Sequence, residues 1–247
     1  MYVVGPQEHR TLRIWLLGQF RLEYGERQLA GLRPRCEILL AYLLLCPRSS
    51  ESRHHLAFLL WPDSTERQAL TNLRHVLHDL RSCLPDAVRY LAVTGHTIAW
   101  NRADIYLDVE EFQWCARPDA DPTDLERGLA VYVDDLLPAC YDDWIAIERR
   151  RLRQQYYSVV ERLAHSRELA HDWRGAIDLA ERLLAYDPLR EATYRLLIRL
   201  HAANNDRAAA LQVYQSCVAI MGQEFGAPVS ATTEALGRRL KNASTLH

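Results

Sequence analysis

Lysine is almost missing from this chain: Lys241 is the single one, and the other 29 basic residues are arginines. The codon bias of a GC-rich genome accounts for that, so an arginine counts here only where spacing gathers several on one face. Long apolar runs are missing too. The longest, from Ile38 to Leu45, is too short to cross a bilayer. No stretch near Met1 joins positive charge, an apolar core and a small-residue cleavage site, so a cytoplasmic, nucleoid-associated protein with no membrane partner is expected. Cys36, Cys46, Cys83, Cys115, Cys140 and Cys217 include no CxxC pair, which excludes a zinc or disulfide framework and leaves reduced structural thiols. There is no G-x-S-x-G elbow, no GxxxxGK[ST] loop and no G-x-G-x-x-G turn, so neither catalysis nor a cofactor is expected.

What is present has the composition of a folded protein: half the residues are apolar and a quarter charged, over a length that suits two domains. Charge is unevenly divided. Residues 1–104 carry 13 arginines against 10 acids, while residues 105–247 carry 17 basic residues against 22 acids. A mildly basic front half fits a polyanion partner without proving one.

Residues 12 to 29 read as short strands: Leu12, Ile14 and Leu16 alternate, Gly18 interrupts, Phe20, Leu22 and Tyr24 resume, and Gly25-Glu26 turns. Pro34 sits where a first helical turn tolerates it, and Cys36, Leu39, Leu40, Leu43 and Leu44 follow at helical spacing until Pro47. This helix is apolar nearly all round, which predicts burial. A short helix after Ser50 or Ser52 carries Leu56, Leu59 and Leu60 and closes at Trp61-Pro62-Asp63. Thr65 and Gln68 form a capping box for a third helix running to Leu84-Pro85, with Glu66 favourable against its N-terminal dipole. Two strands, Tyr90 to Val93 and Thr97 to Trp100, then flank Thr94-Gly95-His96.

The third helix carries the chemistry. Leu70, Leu73, Leu77, Leu80 and Leu84 recur at steps of three and four, so they share a face that packs on the core. Arg67, Thr71, Arg74, His78 and Arg81 follow the same alternation on the opposite face, with Asn72 and His75 beside it. Guanidinium groups on such a helix reach phosphates or the guanine O6 and N7 in the major groove of double-stranded DNA, and a threonine suits a thymine methyl. Alone, an arginine on an exposed face is commonplace. The order of buried helix, short helix, long basic-faced helix and glycine-tipped hairpin is what makes this a winged helix-turn-helix, with Thr94 and His96 on the wing.

From about Asp119 the texture becomes helical throughout, after Pro118, Asp119, Asp121 and Pro122. Two segments match at an offset of 34 residues: Asp172 with Asp206, Ala176 with Ala210, Ile177 with Leu211 and Leu183 with Cys217. That period indicates tetratricopeptide-like repeats, and Asp187-Pro188 is a repeat-ending turn. The expected fold is therefore mainly α. A winged helix with small sheets spans 12–104, a linker 105–118, and an all-α repeat domain 119–247.

Other features weigh less. His75, His78 and Asp79 lack a third ligand at fixed spacing, so no metal site is expected. Helical geometry spreads Arg149, Arg150, Arg151 and Arg153 around their helix, which favours a solvated or interface role over a second nucleic-acid site. Trp144, Tyr156 and Tyr157 read first as packing aromatics. A groove lined by them is the alternative, as a seat for a peptide or small-molecule effector.

The chain also resembles the SARP-type bacterial transcription activators. The resemblance rests on Leu16-Leu17-Gly18-Gln19-Phe20, Pro34-Arg35, Leu60-Trp61-Pro62-Asp63 and Ala69…Leu73-Arg74…Leu80-Arg81 in the first half. In the second it rests on Asp143-Trp144, Arg150…Leu152, Ala176-Ile177, Asp187-Pro188…Glu191, Ala210-Leu211…Tyr214 and Glu224-Phe225-Gly226. It implies an OmpR/PhoB-type winged helix joined to a bacterial transcriptional activator domain, over roughly residues 12 to 240. It further implies a regulator that binds promoter direct repeats as side-by-side copies, self-associates on DNA and recruits RNA polymerase through its sigma or alpha subunit. By the same resemblance the turn before the third helix faces polymerase, offering Asp63 and Glu66. One departure is His171, where the repeat usually has glycine. The rival readings are a helical-repeat adaptor with a degenerate winged helix, and a repressor or effector-sensing regulator of the same fold.

Overall fold

The computed structural model describes residues 11–45, 50–101 and 105–242, so the helix stop expected at Pro47 lies outside the described residues. The chain is mainly helical and divides into two compact units. The described residues up to Trp114 together with Val131–Arg153 form one; Cys115–Ala130 with the chain from Gln154 form the other.

In the first unit, β1 (Leu12–Trp15), β2 (Arg21–Tyr24) and β3 (Arg27–Gln28) form an antiparallel meander. Leu12 and Ile14 of β1 are fully buried while Arg13 stays exposed, as the alternation required. Then come α1 (Pro34–Leu45), β4 (Glu51–Ser52), α2 (Arg53–Leu60), α3 (Glu66–Cys83), α4 (Ala87–Tyr90), β5 (Leu91–Val93), β6 (Thr97–Trp100), β7 (Ile105–Leu107) and α5 (Asp108–Cys115). The first helix is buried over Cys36, Leu39, Leu40, Ala41, Leu43 and Leu44, as its nearly all-round apolar character predicts. Tyr90, expected to open a strand, instead ends the short α4 and stacks on Trp100 with ring centroids 5.7 Å apart.

Segment 105–118, read as a linker, holds β7 and the whole of α5. β7 adds to the meander parallel to β1, giving the order β3-β2-β1-β7. Asp108 follows immediately. It is fully buried, and its carboxylate accepts hydrogen bonds from the backbone N–H groups of Leu16 and Leu17 at 2.8–2.9 Å. Burial pushes its pKa up to about 6 against the opposing pull of those bonds.

The stretch from Val131 closes the unit. The Gly18 N–H donates to the Asp135 carbonyl, the Leu137 N–H donates to the Leu16 carbonyl, and Leu17 bridges Leu136 antiparallel. Gly18 adopts a φ of +90°, which a β-carbon would strain. Arg149 donates to the carbonyl oxygens of Leu136, Leu137 and Cys140 at 2.7–3.0 Å. Arg151 pairs with Glu148 at 2.8 Å, and Arg153 pairs with Asp135. The arginine run is thus tied largely to protein. Trp144 packs edge-on against Tyr42 with centroids 5.1 Å apart.

The second unit contains α6 (Pro122–Val131, ending at the division), the later part of α7 (Asp143–Leu169), α8 (Trp173–Tyr186), α9 (Glu191–Ala203), α10 (Arg207–Phe225) and α11 (Ala231–Asn242). Arg162 of α7 donates to the carbonyls of Ala116, Arg117, Pro118 and Ala120, fixing the turn before α6. The 34-residue offset is real in space. Asp172 caps α8 by accepting from the Gly175 N–H at 3.0 Å, and Asp206 caps α10 by accepting from the Ala209 N–H at 3.0 Å. Ala176, Ala210, Leu183 and Cys217 are all fully buried. His171 and Asn205, also 34 apart, both take left-handed φ values, 57° and 60°. That conformation explains why glycine is usual where His171 stands.

Tyr156 and Tyr157 are buried, Tyr157 donating to the Asp187 carboxylate at 2.5 Å, so they pack the repeats rather than line an open groove. The five described cysteines are free thiols. Burial raises the pKa of Cys36 and Cys140 and carries Cys217 to about 11, which keeps them protonated. Among the described residues no helix is long and apolar enough to cross a membrane.

Candidate nucleic-acid interface

The third helix begins where Thr65 accepts a hydrogen bond from the Gln68 N–H at 3.4 Å. The return half of the expected capping box is not made, because the Gln68 side chain donates instead to Asn72 at 2.9 Å. Eighteen residues follow, about 27 Å of helix at roughly 1.5 Å per residue. The buried face is Ala69, Leu73, Val76, Leu77 and Leu80. Leu84 is buried just beyond the helix, whereas Leu70 is half-buried and stands at the margin of that face.

Opposite lie Arg67, Arg74, His78 and Arg81, all exposed, with His75 exposed beside them. The three arginines recur every seven residues. Seven residues are close to two helical turns, so they form one stripe about 21 Å long. None of the three has a side-chain partner among the described residues. Thr71 is half-buried and gives its hydroxyl proton to the Arg67 carbonyl at 2.8 Å, which leaves its methyl group and oxygen lone pairs as what it offers. The Asp79 carboxylate is taken by Arg33.

The wing is a three-stranded sheet, β4-β6-β5, because Glu51 and Ser52 pair with Ile98 and Thr97. Its tip is built by Thr94, whose hydroxyl accepts from the backbone N–H groups of His96 and Thr97 at 3.2 and 2.9 Å. Thr94 therefore shapes the turn, while the exposed His96 side chain projects from it. Sequence reasoning missed Arg53. Its N–H donates to the His96 carbonyl at 2.9 Å and its guanidinium to the Thr94 carbonyl at 3.3 Å, bracing the wing from the start of α2. A two-residue strand carries no periodicity that would have revealed this contact.

In the turn before α3, Asp63 is exposed. Glu66 lies 3.1 Å from His54 Nε2. Trp61 is half-buried and ends α2 with its N–H on the Ala57 carbonyl at 3.0 Å. It also borders a cleft of about 450 Å³ with Arg33, Arg35, Asn72 and His75. Both of those arginines are paired, Arg35 with Asp142 at 2.9 Å and Arg33 with Asp79.

A buried three-helix core, a basic-faced third helix and a braced hairpin wing define a winged helix, here joined to an all-helical repeat unit. That is the architecture of a SARP-type regulator. The bacterial transcriptional activator domain model matches residues 110–241, and the chain belongs to that family of transcription regulators. A search of curated proteins finds no match. Among solved structures, the chain is similar to Mycobacterium tuberculosis EmbR, solved in complex with a low affinity phosphopeptide. The TM-score is 0.78 at 18 % identity, covering 94 % of this chain and 65 % of that one. At such identity the likeness speaks for the fold alone, and this chain spans about two thirds of EmbR's length.

Proposed function

We propose that the protein is a sequence-specific regulator that binds double-stranded promoter DNA and activates transcription. α3 lies in the major groove, with Arg67, Arg74 and Arg81 on phosphates or guanine edges and Thr71, His75 and His78 between them. The wing rests over the neighbouring backbone or minor groove and offers His96. The observation that carries this reading is the stripe of three unpartnered arginines opposite the buried face of Ala69, Leu73, Val76, Leu77 and Leu80. Repeats in the promoter would be occupied by side-by-side copies, and the exposed Asp63 carboxylate would meet a basic surface of the polymerase sigma or alpha subunit. All the proposed DNA contacts fall within residues 12–104.

The test is selection from random duplex DNA by the full-length protein, followed by binding at several salt concentrations. The expected result is an enriched repeated motif bound with a steep salt dependence. Recovery of no motif, or no retention of duplex at low salt, overturns the proposal and favours a protein-binding adaptor.

A further inference from the structure

DNA reading makes no use of a second charged feature, on the helical unit. A cleft of about 550 Å³ is lined from α9, α10 and α11. Its floor is apolar: Ile198 is 1 % exposed, and Leu236 and Leu240, one turn apart on α11, are half-buried. Its rim is cationic, formed by Arg199, Arg207 and Arg239, and no carboxylate lines it. This runs against the local trend, because acids outnumber bases over residues 105–247.

The three arginines are not equivalent. Arg207 donates to the Leu240 and Lys241 carbonyl oxygens at the end of α11, the second at 3.2 Å, and so fixes the wall of the cleft. Arg199 and Arg239 are exposed, and neither has a hydrogen bond or ion pair among the described residues. The close seating of α11 on α10 depends on Gly237, where a β-carbon would lie 2.4 Å from the Tyr214 ring. With that face pressed down, Leu236 and Leu240 are left to line the cleft.

We propose that this cleft binds a small amphipathic anion: an apolar chain or ring with one carboxylate or phosphate-type head. The body lies on Ile198, Leu236 and Leu240, and the head lies between Arg199 and Arg239. The volume falls in the range of small-molecule sites, about 300–1,000 Å³. Planar guanidinium groups match such heads by paired, charge-assisted hydrogen bonds. The site is independent of DNA binding, and it is measured without DNA.

Decanoate serves as the probe, with decyltrimethylammonium as its cationic counterpart, both titrated into the full chain below their micelle concentrations. Decanoate should shift the methyl resonances of Ile198, Leu236 and Leu240 saturably, and the cation should not compete. The double variant Arg199→Gln/Arg239→Gln should keep wild-type melting and bind decanoate roughly tenfold or more weakly, as loss of charged hydrogen bonds requires. Equal competition by the cation overturns the proposal, as does undiminished binding in the double variant, or shifts confined to other methyls. Binding of an acidic peptide but not of decanoate also overturns it, in favour of a protein partner.

Discussion

Replacing Arg67, Arg74 and Arg81 together by glutamine removes the whole cationic stripe of α3 and nothing else. All three side chains are exposed and without partners, and glutamine is nearly as good a helix former as arginine, so melting should not change. Each phosphate neutralised contributes about 0.9 to the slope of log affinity against log salt. Three phosphate contacts therefore contribute about 2.7, which over a fourfold rise in salt is a loss of roughly 40-fold. If all three meet phosphates, the variant should lose that much less affinity than wild type between about 50 and 200 mM salt. If one of them reads a guanine, the slope falls by only about 1.8. Discrimination at one base pair then drops by about 1–3 kcal/mol. Fluorescence anisotropy on the selected duplex at several salt concentrations separates the cases. An unchanged slope together with unchanged affinity and base discrimination in the triple variant refutes α3 as the DNA-facing helix.

Leu73→Ala, at a fully buried position, should lower stability in denaturant unfolding by about 2–5 kcal/mol, whereas Leu70→Ala, at the margin of the same face, should cost distinctly less; equal losses would misplace the buried face. Asp108 holds a raised pKa of about 6 against 3.8 for a free carboxyl, so its protonated form is the one the fold favours. Its contribution is fully present below pH 3.8 and is lost as pH rises through 6, a change of about 3 kcal/mol in all. Asp108→Asn should abolish that part of the pH dependence, and identical pH profiles of melting for variant and wild type would dismiss the carboxyl as its source. Asp63→Asn leaves the Thr65 cap and the α3 stripe untouched, so promoter affinity should hold while transcription in a purified system falls. Wild-type transcript yield at saturating occupancy would remove Asp63 as a polymerase contact.

Features set by local pattern were legible in the sequence. Periodicity placed α1 and α3 and the faces of α3; Thr65 marked a helix start; the 34-residue offset located two capped repeats down to their matching aspartates. Features set by distant pairing were not. β4 is two residues long and is a strand only because Ile98 and Thr97 lie beside it. β7 looked like a connection because three residues cannot show an alternation, and it exists by pairing with β1 about 90 positions earlier. Asp108, an ordinary acid among many in the sequence, is distinguished by two backbone N–H groups from the far end of β1. In the candidate interface the residue types and their face were readable, but Thr94's work within the wing turn and Arg53's bracing of it depend on geometry no spacing encodes.

The junction of Leu16 to Gly18 with Asp135 to Leu137 also has a temporal side. Leu17, just beyond β1, meets its bridging partner Leu136 only about 120 positions later in the chain. At roughly 5–20 residues per second, that bridge waits about 6–24 seconds on the ribosome for its second half. α3 and the hairpin beside it are complete in sequence by Trp100, whereas the Arg149 and Arg153 contacts to Leu136 and Asp135 come about 50 residues later. A ribosome that stalls between those points therefore holds a chain with α3 and its hairpin made and with Leu17 still lacking its bridge to Leu136.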